Sequence, residues 1–162
     1  MPIKDVVMKK VWIYQADRFL TEPEVIEAKE YLEAFVRTWT AHGSALAGKA
    51  EIHHNLFIVL TVDESVANAT GCSVDRSVHV LKELEQKLNV GLFDRTLVAY
   101  LDAEGATQLV SKEVFEALVK EGEVTEATLV FNNLVRTEDE LETGWLVPFK
   151  SSWHARVFTT AP

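Results

Sequence analysis

The chain has a single cysteine in 162 residues, which rules out an intrachain disulfide and any multi-cysteine metal site. Basic charge is also scarce. Sixteen Lys and Arg stand against twenty-five Asp and Glu, giving a formal net charge of -9 and a pI of about 5.0. Nucleic-acid backbones and anionic membranes both reward clustered Lys and Arg, so neither is the expected main partner. No apolar run approaches the roughly 20 residues that cross a bilayer, and membrane insertion is not expected. The start, Met1-Pro2-Ile3-Lys4-Asp5, carries an early acid and no long apolar run, so no signal peptide is expected and the expected location is cytoplasmic. Internal repeats and low-complexity tracts are lacking too. What remains is a hydrophobic content of 48% and a mean hydropathy of +0.02, which suit a soluble chain with a real core. The length suits one domain, or one domain with an appendage.

Val11-Trp12-Ile13-Tyr14 reads as a strand buried on both faces. Thr21-Glu22-Pro23-Glu24 forms a capping box, with Leu20 and Val25 as its hydrophobic staple. Val25, Ala28, Leu32, Phe35, Val36 and Trp39 then line one helix face, with the stop near His42-Gly43. Ala50–His53 is a second strand, His54-Asn55 a turn, and Leu56–Val62 a third, nearly all apolar strand. Val74, Val78, Leu81, Leu84 and Leu88 mark a second helix. Ser73 is its expected N-cap and Thr70 the alternative, and Gly71 permits a tight approach of strand to helix. Leu97–Leu101 is a fourth strand.

Strand, helix, strand, strand, helix, strand is the ferredoxin-like split βαβ pattern, and right-handed crossovers order its strands 4-1-3-2. The expected fold is therefore α+β, with a ferredoxin-like core over residues 1–102 and a C-terminal α/β extension over 103–162 packed on or beside it. In that extension Thr107–Val110 should pair with the fourth strand, and Ser111 should cap a helix with Phe115, Leu118 and Val119 inward, stopped by Gly122. Thr128–Phe131 is a further strand, and Thr137-Glu138-Asp139-Glu140 a second capping box. Trp145, Pro148 and Trp153 belong to a segment that wraps back over the core.

The same topology gathers chemistry at one end of the sheet. The first helix should end, and the second begin, at a shared corner. Trp39, Thr40, His42 and Gly43 would then approach Thr70, Gly71, Cys72, Ser73 and Asp75, with Asp63 and Glu64 nearby. A helix N-terminus offers unpaired N–H groups to an anion and favours a thiolate. One reading is a binding site for a small anionic or polar ligand, formed by Trp39, Thr40, His42, Thr70, Gly71, Cys72, Ser73 and Asp75. Another is a cysteine-dependent enzyme with Cys72 as nucleophile, His42 as base, and Asp75 or Asp63 orienting the imidazole. The plain alternative is a small cysteine buried under a helix start. His79 sits one turn beyond Asp75, as a surface pair. His53 and His54 belong to the opposite end. No His-x-x-x-His pair supports a metal at His42, Asp63, Glu64 and Asp75, and no metal or cofactor is expected.

Gly43-Ser44-Ala45-Leu46-Ala47-Gly48-Lys49-Ala50 fits G-x-x-x-x-G-K, and Phe57–Glu64 has the apolar-then-acidic character of a Walker B strand. Yet Ala50 replaces the metal-holding hydroxyl, and the segment follows a helix and precedes a strand, the reverse of a phosphate loop.

Val11-Trp12-Ile13-Tyr14-Gln15, Trp39-Thr40-Ala41-His42-Gly43, Ala69-Thr70-Gly71-Cys72-Ser73-Val74-Asp75, Val130-Phe131-Asn132-Asn133-Leu134 and Ser152-Trp153-His154 together resemble a small bacterial family carried under the label "ABC transporter ATPase". The resemblance spans nearly the whole chain and implies ATP binding. Phe115–Val119, Gly122, Thr128–Phe131 and Trp145 are similar to GYF-type adaptor domains, a likeness that implies a proline-rich peptide partner. The sequence thus predicts a non-enzymatic cytoplasmic protein that binds a small ligand or a protein partner at the corner of the two helices. The Cys72–His42 enzyme and the ATPase are the alternatives.

Overall fold

The computed structural model describes residues 9–41, 43–65 and 67–158. The chain is mixed α and β with antiparallel sheets, and it divides into two compact units. The first comprises Met1–Phe93 with Arg136–Asp139, the second Asp94–Val135 with Glu140–Pro162.

The first unit begins with β1 (Lys9–Gln15) and α1 (Glu22–Arg37). The capping box forms as the sequence predicts. Thr21 Oγ1 accepts from Glu24 N at 3.3 Å, and Glu24 Oε1 accepts from Thr21 N at 2.9 Å. Ala28, Leu32 and Phe35 are buried along one stripe. The helix ends at Arg37, well short of Gly43, and the Thr38 hydroxyl donates back to Phe35 O at 3.1 Å. Gly43 is not its stop. With φ of +79° it serves a small hairpin of β2 (Thr40–Ala41) and β3 (Ser44–Ala45).

β4 (Ala47–His53) and β5 (Phe57–Asp63) follow, joined by a tight turn. His54 and Asn55 both have positive φ, 59° and 54°, as a type I′ hairpin requires. α2 (Gly71–Leu88) closes the unit, with Asn89 in the left-handed region as its C-cap.

The sheet order is β1-β5-β4, antiparallel throughout and in register over seven residues on each side of β5. Phe57 to Val62 are all buried, so β5 is the central strand that its apolar run predicts. Burying such side chains is worth roughly 1.5–3 kcal/mol apiece, which makes β5 the main stabilising element of the sheet. β1 is less buried than expected. Only Val11 is fully covered, and Trp12, Ile13 and Tyr14 are half-exposed.

Three strands thus keep the expected 1-3-2 neighbours, but the fourth does not join them. The outer edge of β1 is met by Arg136 and Thr137, through a Lys10–Thr137 bridge and a 2.9 Å bond from Val11 N to Arg136 O. The expected fourth strand, β6 (Leu97–Leu101), lies instead in the second unit. Both of its edges are occupied there, by β7 (Thr107–Ser111) and β8 (Leu129–Phe131). The β6–β7 turn favours the first of these pairings. Asp102 Oδ1 accepts from Glu104 N at 2.9 Å and from Ala106 N at 3.0 Å, and Gly105 takes φ of +81°.

α3 (Lys112–Lys120) starts at the predicted Ser111 cap and buries Phe115 and Val119. α4 (Glu138–Gly144) carries the unit boundary, and β9 (Leu146–Pro148) completes the sheet order β7-β6-β8-β9. A 3-10 turn at Phe149–Ser151 and α5 (His154–Val157) follow. The second unit has its own core of Val98, Phe115, Val119, Val124, Val130, Phe149 and Phe158.

Candidate functional site

The loop entering α2 is built from its own acids. Asp63 Oδ1 accepts from Ser65 N at 2.9 Å and Ser65 Oγ at 2.6 Å, bonds that lower the Asp63 pKa. Glu64 Oε2 accepts from Ala69 N at 2.9 Å, and its other oxygen lies 3.3 Å from Lys10 Nζ. Both carboxylates shape the loop, so they are engaged before any ligand arrives.

Thr70, not Ser73, is the N-cap. Its hydroxyl accepts from Ser73 N at 3.2 Å, while Ser73 Oγ accepts from Thr70 N at 2.7 Å and donates to Thr70 O at 2.8 Å. Ser takes the place that Glu or Gln holds in the usual box, and this extra reach for Ser73 is why the helix starts a turn earlier than a Ser73 cap would allow. Ser73 is consequently buried, as is Ser77, whose hydroxyl donates to Val74 O at 2.6 Å. The first turns of α2 bury small hydroxyls, and the apolar stripe takes over at Val80, Leu81, Leu84 and Leu88. Val74 and Val78 are only half-buried.

The end of the α1 segment and the start of α2 do meet. Trp39 Nε1 donates to Ser73 O at 2.9 Å in a buried hydrogen bond. Trp39 is 1% exposed, with its ring 4.9 Å from Phe35 and 6.3 Å from Trp12. It is a core residue that pins the corner and has no surface to offer a ligand. Around it Thr40, Gly71, Cys72 and Asp75 are exposed and Thr70 half-buried. Cys72 is therefore a surface thiol on the first turn of α2, and the buried-cysteine alternative is overturned. A Cβ on Gly71 would meet nothing within 4 Å, so no close strand-to-helix approach demands glycine there. His42, the proposed base, lies outside the described residues.

The glycines of the phosphate-loop look-alike have other tasks. Gly48 lies under the Trp39 indole, where a Cβ would stand 3.0 Å from Cε3. Lys49 sits on β4, 3.8 Å from Glu51. The segment forms hairpin and strand, with no helix to present to a phosphate.

Sequence reasoning missed a polar knot at the other end of the unit. Arg18 binds Glu24 through two bonds of 2.9 and 2.8 Å and also donates to Leu88 O at 2.8 Å. Together with the cap, this pair holds the Glu24 carboxyl down at about 2. Asp17 Oδ1 accepts from Gly91 N at 3.0 Å, and a Cβ on Gly91 would lie 2.6 Å from Asp17 Oδ2. Gly91, two residues past the Asn89 cap, is the one sequence signal that this contact left. A depression of about 310 Å³ opens here, lined by Asp17, Glu85, Gln86, Asn89, Val90 and Gly91. A second, of about 390 Å³, lies between α1 and β4. Neither is lined by the Cys72 corner.

Comparison with protein-family models, with curated proteins and with solved structures gives no match.

Proposed function

We propose that the first unit is a non-enzymatic binding module that takes a small anionic or polar ligand at the N-terminus of α2. One observation carries the reading: the N–H groups of Gly71 and Cys72, at the first two helical positions, have no acceptor among the described residues, and both residues are exposed. Such donors, with the positive end of the helix dipole behind them, suit a carboxylate or phosphate oxygen. No acidic residue occupies the first turn to compete, and exposed Arg76 follows on the next. Thr40 supplies a polar flank, Asp75 can accept only from a donor on a polar ligand and disfavours a pure anion, and Trp39 acts by holding the corner rigid. A dipole contribution of about 0.3–1 kcal/mol is small, so a lone inorganic anion should bind weakly.

The test is titration of the protein with inorganic phosphate, followed through its backbone amide resonances. Saturable shifts centred on Gly71 and Cys72 are expected. Shifts scattered over the surface, or none at these amides, would refute the proposal.

The exposure of Cys72 favours a second reading, the cysteine-dependent enzyme. Alkylation rates measured over a pH series separate the two. A thiol that reacts as a cysteine in an unfolded peptide does belongs to the binding module, and one already activated at neutral pH belongs to the enzyme.

A further inference from the structure

The sheet of the first unit has two edges. β1 carries the Lys10–Thr137 bridge, whereas β4 pairs with β5 over all of Ala47–His53 and has no strand on its outer side among the described residues. A bare edge of that length is a template for another strand. A lone lysine would guard such an edge against pairing, but here Lys49 has an opposite charge two residues on, on the same face, at Glu51. Ala50 lies between them. If two copies of β4 run antiparallel with Ala50 facing Ala50, each Lys49 falls opposite the partner's Glu51. Ala47 then faces His53, and Gly48 faces Ile52.

The helix beside this edge repeats the arrangement. Glu33, Val36 and Arg37 of α1 line the 390 Å³ depression together with Gly48, Lys49 and Ala50 of β4. Glu33 and Arg37 are opposite charges one turn apart on the stretch of α1 that flanks this edge. The β4 charge pattern is thus self-complementary under a two-fold axis at Ala50, which an isologous interface requires. Among the described residues Glu51 has Lys49 Nζ at 3.8 Å and His53 Nε2 at 3.4 Å as charged neighbours, all partly exposed.

We propose that the β4 edge is the interface of a two-fold dimer of this chain, joining two three-stranded sheets into one continuous sheet of order β1-β5-β4-β4-β5-β1. The test is sedimentation of the full chain over a concentration series. The expected result is a dimer that dissociates on dilution. Lys49→Glu and Glu51→Lys each place like charges opposite one another twice, and each should weaken the dimer about tenfold or more. The double exchange should restore it. All variants should keep the circular dichroism of the parent, because both side chains lie at the surface. A monomer at every concentration, a dimer indifferent to both single reversals, or a double exchange that fails to restore it would each overturn the proposal.

Discussion

His154 illustrates how a single side chain can set a pH limit. It is 2% exposed, with Nδ1 2.6 Å from Ser152 Oγ and its ring stacked 3.8 Å from that of Trp153. Burial pushes its pKa down from 6.5 to about 4, so it is neutral in the folded chain. Above the unfolded value the residue is neutral in both states and its burial carries no protonation penalty. As pH falls from about 6.5 to 4, the unfolded chain takes up a proton that the folded chain refuses. Stability is lost across that window, by up to about 3 kcal/mol. Urea unfolding at pH 7 and pH 4 should show a larger loss for the parent than for His154→Gln. An imidazole resonance that titrates near 6.5 would contradict the prediction. Ser152-Trp153-His154 gave no sign of this from sequence, since burial comes from Phe115 and its neighbours far along the chain. The same holds for Gly48 and Gly91. Their need for glycine comes from Trp39 and Asp17, residues that no local pattern links to them.

Elements were easier to read than single contacts, where the signal is local. The Thr21–Glu24 box, the Ser111 cap, the run through β5 and the His54-Asn55 turn all rest on neighbours in sequence, and all four form. The boundaries that went astray had rivals. Ser73 and Thr70 both qualified as caps, and the reciprocal bonds between them place Thr70 outside the helix. Gly43 looked like a helix stop because a hairpin turn and a helix end ask the same of glycine. The β4–β5 turn offers a test at this scale. Asn55 holds φ of 54° without being glycine, a conformation that costs an L-residue about 1 kcal/mol. Asn55→Gly should therefore raise stability by about 0.5–1 kcal/mol, seen as a higher urea midpoint at unchanged slope. The 2.8 Å bond from Leu20 N to the carbonyl of residue 55 would be kept.

The chain as a whole was legible up to the third strand of the sheet and then diverged. Alternation and crossover rules account for β1-β5-β4, but they assume that the next suitable strand returns to the same sheet. Here Leu97–Leu101 finds β7 and β8, and the place beside β1 goes to a few residues from much later in the chain, without a strand-like pattern to announce them. That Trp39 reaches the start of α2 was legible for the same reason as the first three strands, because both segments are fixed by the helices flanking them. A chain ended after Phe93 tests the role of the late residues. It lacks the Arg136 carbonyl that accepts from Val11 and the Glu138 carboxylate 3.5 Å from Lys9. Its stability should fall by about 1 kcal/mol or more, with faster hydrogen exchange at the Val11 amide.

Because Arg136–Asp139 belongs to the first unit, translation and sheet completion run out of step. A nascent chain emerges N-terminus first, and domains generally fold as they leave the ribosome. For this chain the margin of the first sheet stays open until residues 94–135 have also been synthesised, so the portion made first is the last to be sealed.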